Sequence, residues 1–80
     1  MIFVSTLEII TGKTDEALDI VKNIKPSEEV KILHFLQMFG KPDFFLIFEA
    51  PNEEVAMDFV LNFSGAMESS TQLGVSVDEL

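Results

Sequence analysis

The sequence contains no cysteine, arginine, tyrosine or tryptophan, and His34 is the single histidine among its 80 residues. The absence of cysteine excludes disulfide bonds, thiolate zinc sites, iron–sulfur clusters and cysteine nucleophiles, and one histidine cannot build a multi-histidine metal centre. A chain this short buries only about 60–65% of the surface that it exposes when unfolded. Small domains without disulfides or metals often gain stability by associating, so self-association is the remaining expectation.

Positive charge is also scarce, because five lysines face fourteen acidic residues and give a net charge of −9. The lysines are scattered and form no basic stripe, which disfavours direct binding to nucleic acid. The same negative field repels anionic lipid surfaces, and no apolar run approaches the ~20 residues that span a bilayer. The first residues lack the basic region of a targeting segment. The pattern predicts one cytoplasmic domain over residues 1–80 without membrane association.

Hydrophobic periodicity predicts four strands and two helices in the order βαββαβ. Thr14 and Asn52 are the predicted N-caps of the helices, because each precedes acidic residues that the positive end of a helix dipole favours. The first helix is expected to end by Pro26 and the second near Gly65. The predicted strands cover residues 2–10, 30–39, 44–50 and about 71–77.

This order of elements predicts an α+β, ferredoxin-like fold with a four-stranded antiparallel sheet and both helices on one face. The first three predicted strands are apolar at both sets of alternating positions, although the helices cover only one face. A large open apolar face is unusual on a monomer, so we expect a second copy to cover it and form a dimeric α+β barrel. The residues predicted for this dimer interface are Ile32, Leu36, Met38, Phe45 and Ile47.

Two apolar residues of the second helix, Met57 and Leu61, lie outside its core-facing stripe. They fit either the edge of the core or a contact that joins dimers into a higher oligomer.

The segment from Gly40 to Ala56 resembles the core of GYD-domain proteins, in which a Gly-x-Tyr-Asp turn leads into an apolar strand and an acidic helix start. It is also similar to the effector-binding domains of the Lrp/AsnC regulators. The resemblance extends to about Val77 and implies a dimeric α+β barrel. The similarity to the Lrp/AsnC domains also implies small-molecule binding near the turn, whereas GYD-domain proteins have no settled activity. Gly40 and Asp43 match the motif, whereas Pro42 stands where the family has tyrosine, so any role of that hydroxyl is lost.

A symmetric hairpin closed by the Gly40–Asp43 turn places His34 opposite Glu49. Directly opposed side chains lie about 4.5–5.5 Å apart at Cβ, which permits a histidine–carboxylate hydrogen bond. The pair fits either an acid/base or ligand-orienting site, or a structural polar pair at the barrel rim. The candidate ligand-binding residues are Gly40, Asp43, His34 and Glu49, and the last two are also the catalytic candidates.

Other chemistries find little support in the sequence. Glu8, Asp43 and Glu49 lack the loop spacing that gathers oxygen ligands, so no metal is expected. The four glycines form neither a Walker A loop nor a dinucleotide fingerprint, and no nucleophile elbow surrounds a serine. No cofactor is predicted.

Three functions remain open. The sequence favours a homodimeric module that binds a small, mostly apolar molecule between the dimer sheets or near the Gly40–Asp43 turn. One alternative is a cofactor-independent barrel enzyme, resembling monooxygenases of this superfamily, with His34 as the base. The other is a structural subunit whose acidic exterior contacts a basic protein.

Overall fold

The computed structural model describes residues 1–80 and contains one sheet and two α-helices. The elements in chain order are β1 (Ile2–Ile9), α1 (Thr14–Asn23), β2 (Lys31–Gln37), β3 (Phe44–Glu49), α2 (Glu53–Val60), a 3-10 turn at Leu61–Phe63, β4 (Met67–Gly74) and a 3-10 turn at Val77–Glu79. The strands are antiparallel in the order β2-β3-β1-β4. The predicted ferredoxin-like fold is therefore confirmed. Neither α1 nor α2 has the length and apolar character of a bilayer-spanning helix.

The two helices begin in different ways. At α2 the prediction is confirmed, because the Asn52 side-chain oxygen accepts a hydrogen bond from the Val55 N–H at 2.9 Å. At α1 it is wrong, since Thr14 is the first helical residue and Lys13 occupies the cap position without a side-chain hydrogen bond. Negative charge in the first turn, from Asp15 and Glu16, is what favours this helix start.

The core lies between the helices and one face of the sheet. Alternate residues of β1 and β3 point into it, and Ala17 of α1 and Phe59 of α2 close it from above. A continuous row of six aromatic rings crosses this core, with neighbouring ring centroids 4.9–6.1 Å apart and mostly edge-to-face. The row runs through Phe3, Phe48, Phe59, Phe63, Phe35 and Phe44. These rings join three strands to α2 and the turn that follows it.

A β-bulge in β2 changes which residues of this strand face the core. The register shifts between Ile32, which opposes Phe48, and His34, which opposes Ile47, so Leu33 is the extra residue. Ile32 consequently packs against the core beside α2, on the covered face. The open face predicted for Ile32 is wrong, because the bulge reverses the alternation on which that prediction rested.

The last strand lies earlier in the chain than expected. It begins at Met67 rather than near Thr71 and ends at Gly74, and Val77 lies in a 3-10 turn instead of a strand end. Glu68, Ser69 and Ser70 have weak strand propensity, but they pair in unbroken register with β1. Pairing with a central strand overrides local propensity here.

The aromatic row can be tested at Phe63, whose ring packs edge-to-face on two neighbours and is fully buried. Phe63→Leu should lower the free energy of unfolding by roughly 1–3 kcal/mol, because it removes two ring–ring contacts and some volume. The matched control is Phe39→Leu, since the Phe39 ring is fully exposed and its loss should change stability by less than about 0.5 kcal/mol. Urea denaturation measures both; equal losses would contradict the role of the row.

Candidate functional site on the open face of the sheet

The face of the sheet opposite the helices is not covered by any part of the chain. Strand registers place alternate residues of each strand on it, and Leu36 at its β2 side is 50% exposed. We call this surface the open face. Its residues are Ile2, Val4, Thr6 and Glu8 from β1, Lys31, His34 and Leu36 from β2, Phe45, Ile47 and Glu49 from β3, and Glu68, Ser70, Gln72 and Gly74 from β4.

The open face has two unlike parts. Across β2, β3 and β1 it carries large apolar side chains, among them Leu36, Phe45 and Ile47. Across β4 it is polar and includes the small residues Ser70 and Gly74. A flat surface of apolar side chains therefore borders a lower, polar strip.

The predicted interface residues fall on both faces. Leu36, Phe45 and Ile47 share the open face, and Met38 continues the β2 register beyond the strand, since its N–H donates to the Asp43 backbone carbonyl at 2.8 Å. Ile32 lies on the covered face. Four of the five residues therefore share one side of the sheet.

His34 and Glu49 share the open face but are not directly opposed. His34 opposes Ile47, and Lys31 is the residue opposite Glu49. The expected pairing was wrong because Phe44 opposes Gln37 rather than Phe39, which shifts the hairpin register by two residues. The bulge shifts the remainder of β2 by one more residue. The His34 side chain is exposed and makes no hydrogen bond within the chain. The single chain thus contains no histidine–carboxylate pair.

The Gly40–Asp43 turn connects β2 to β3 at one end of the sheet. Gly40 has a φ of 115°, a conformation that side-chain-bearing residues rarely adopt, so glycine is needed there. The Lys41–Pro42 peptide bond is cis. The turn lies beside the end of β1, where Asp43 helps to line a shallow groove of about 370 Å³.

Asp43 has a contact that the sequence reading missed. Its carboxylate oxygen accepts a hydrogen bond from the Ile9 N–H at 2.7 Å. Odd-numbered residues of β1 bond toward β3, as the bond from Ala50 N–H to the Met1 carbonyl shows at the other end. The next partner for Ile9 in this ladder is Pro42, which lies beyond the end of β3, so the Asp43 side chain supplies the acceptor instead. Asp43 thereby adds one hydrogen bond between β1 and the turn, beyond the last pair of the β1–β3 ladder.

The four candidate ligand-binding residues do not meet at one point. Asp43 and Glu49 lie just before and at the end of β3, which separates them by roughly 20 Å along the strand. Glu8 and Asp43 line the groove at the turn end, where Lys41 Nζ lies 4.0 Å from a Glu8 carboxylate oxygen. No group of three histidine or acidic side chains is placed to hold a metal ion.

A second apolar surface lies on the helix side of the sheet, between α2 and β4. It is a groove of about 400 Å³, which we call the α2–β4 groove. Met57, Leu61 and Leu73 line it and are 65%, 58% and 52% exposed. The first two are the residues that the helical pattern left outside the core stripe. Leu73 was missed as their neighbour because the predicted strand was placed too late in the chain.

Comparison with known proteins adds no further constraint on function. Neither a scan against protein-family models nor a search of curated proteins found a match to this chain.

Replacing Asp43 tests its structural role. Asp43→Ala should lower the free energy of unfolding by about 1–3 kcal/mol, because the part-buried Ile9 N–H loses its acceptor. Asp43→Asn retains an acceptor oxygen and should lose less, and Asp58→Ala, at an exposed position of α2, is the control. Urea denaturation gives the stabilities and amide hydrogen exchange reports on Ile9. Unchanged exchange at Ile9 in Asp43→Ala would contradict the assignment.

Proposed function

We propose that the protein is a homodimeric binding module that holds a small, mostly apolar molecule between two open faces. The observation that carries the proposal is the open face itself, where Leu36, Phe45 and Ile47 meet solvent with no covering element. Burying such a surface against a second copy gains the hydrophobic free energy that the single chain leaves unused.

The size of the open face is compatible with a modest dimer interface. Four strands about 4.8 Å apart and six to eight residues long present roughly 20 × 25 Å, or about 500 Å² of projected area. Accessible area exceeds projected area on a surface of side chains. The buried area therefore falls near the roughly 600 Å² per partner of the smaller specific interfaces.

The side chains of the open face differ in size, and this difference favours a ligand-binding space between the two sheets. Two stacked sheets lie about 10 Å apart, a distance that large side chains fill and small ones do not. Ser70 and Gly74 on β4 leave space beside the larger residues of β1. Thr6, which opposes Ser70, and Gln72 offer hydrogen-bonding groups at the margin. An apolar molecule with one polar end matches this arrangement.

The resemblance to GYD-domain and Lrp/AsnC effector domains is consistent with this proposal, including its expected cytoplasmic location. The enzyme alternative loses its main support, because His34 is exposed and is not opposite Glu49. The structural-subunit alternative depends on the acidic exterior and predicts capture by a basic partner that is lost at high salt.

Dimerisation through the open face can be tested at Leu36. Leu36→Asp should weaken association through the open face at least 100-fold, since it places an unpaired charge in an apolar interface, while the exposed position keeps each chain folded. The control is Gln37→Asp, at the adjacent exposed residue whose register partner Phe44 faces the core. Sedimentation velocity over a dilution series measures both. A wild type that is monomeric at millimolar concentration would overturn the proposal.

Ligand binding can be tested with Nile red, a neutral apolar dye. The wild-type dimer should bind the dye and increase its fluorescence, whereas Ser70→Phe should fill the space and abolish binding without dissociating the dimer. Ser69→Phe is the matched control, because Ser69 points to the opposite side of the same strand and lines the α2–β4 groove. Loss of binding in Ser69→Phe alone would move the site to that groove and contradict the proposal.

A further inference from the structure

The two edge strands of the sheet, β2 and β4, differ in how readily they could pair with a further strand. The β2 edge contains the bulge at Leu33 and begins with Lys31, two features that hinder the addition of a further strand. The β4 edge is eight residues long, pairs with β1 without a bulge, and contains neither lysine nor proline. Only β4 presents a regular strand edge.

The direction of the free backbone groups on β4 follows from two hydrogen bonds. The Ile10 N–H donates to the Ala66 carbonyl at 2.9 Å, so even-numbered residues along β4 bond toward β1. The Ala50–Met1 bond on the other side of β1 requires the same alternation. The N–H and C=O groups of Ser69, Thr71 and Leu73 therefore point away from the sheet without a strand partner.

An apolar surface borders this edge on the helix side of the sheet. Met57 and Leu61 of α2 and Leu73 of β4 line the α2–β4 groove, and each is more than half exposed. Ser69, near the other end of β4, also lines the groove and contributes only a small polar side chain. An antiparallel copy of β4 would therefore bring a second Leu73 alongside Ser69.

We propose that β4 pairs antiparallel with β4 of a second copy about a twofold axis near Thr71. In this register Ser69 of each copy opposes Leu73 of the other, so each Leu73 extends the apolar surface of the opposite copy's groove, which Ser69 lines together with Met57 and Leu61. The outward groups of Ser69, Thr71 and Leu73 then form about six interchain hydrogen bonds. This single contact accounts for the exposed Met57 and Leu61 of α2 and for the regular edge of β4.

Charge permits this register in a protein with a net charge of −9. Glu68 is the only charged residue of β4. It opposes Gly74 of the second copy, which places the two Glu68 side chains at opposite ends of the paired strands, roughly 20 Å apart. That separation exceeds the screening length of about 8 Å at physiological ionic strength.

This edge contact is independent of the sheet-face dimer in the proposed function, because it uses β4 and the helix side of the sheet. Its test therefore uses Leu36→Asp as the background, where open-face pairing is removed. Leu36→Asp should still form dimers by sedimentation. Adding Leu73→Lys should give monomers, whereas adding Gln72→Lys, on the neighbouring residue that faces away from the groove, should leave dimers.

Amide hydrogen exchange on the wild type provides a second measurement that needs no variant. The amides of Ser69, Thr71 and Leu73 should exchange at least 10-fold more slowly at high protein concentration than after dilution. NMR on a mixture of isotope-labelled and unlabelled chains can detect contacts between copies. It should show a nuclear Overhauser effect between the α proton of Ser70 in one copy and that of Gln72 in the other. Rapid exchange of these three amides at all concentrations, or a monomeric Leu36→Asp, would overturn the proposal.

Discussion

The contact between α2 and the sheet, made through six phenylalanine rings, is the interaction on which the rest of the structure depends. Phe59 and Phe63 bring the helix and its following turn onto rings from β3 and β2, and the β3 ring of Phe48 stacks in turn on Phe3 of β1. Phenylalanine suits this position because it buries a large area and has no polar atom that would need a partner. The row determines which alternate residues of three strands face the helices, because each ring must point into the core.

The same alternation also determines which residues lie on the open face. Once Phe3 and Phe48 point to the helices, Val4 and Ile47 must point the other way, because successive strand residues alternate. The apolar character of these second positions has no explanation within a single chain. The same interaction that builds the covered core therefore presents the surface that our proposed function assigns to a second copy.

Much of this architecture could be predicted from the sequence, and the failures have physical causes. The order of elements, the Asn52 cap and the open-face positions of Phe45 and Ile47 follow from local periodicity, which is strong there. A bulge inserts one residue without a sequence signature, so the face of Ile32 could not be predicted from alternation alone. The partner of His34 depends on where the β2–β3 turn closes, and the expected closure was two residues out of register. The start of β4 could not be predicted from local propensity, because its serines are in the sheet as a result of pairing with β1.

The role of Asp43 was missed for a different reason, because it depends on a contact between distant segments. Ferredoxin-like topology does make β1 and β3 neighbours, and that adjacency brings the end of β1 beside the turn. The Asp43 carboxylate accepts the hydrogen bond from the Ile9 N–H, beyond the last residue pair of β1 and β3. Gly40 and Asp43 thus have structural roles that account for their presence in the turn before any ligand is considered.

The irregular β2 edge has a consequence for how far assembly can proceed. A sheet with two regular edges can add strands at both sides and propagate into a fibre. This sheet is blunted at β2 by an unpaired residue and a lysine, so joining two copies through β4 leaves only blunted edges at the outside. Addition of strands along the sheet ends after one step, so the exposed strand edge of this domain does not template a continuous fibre.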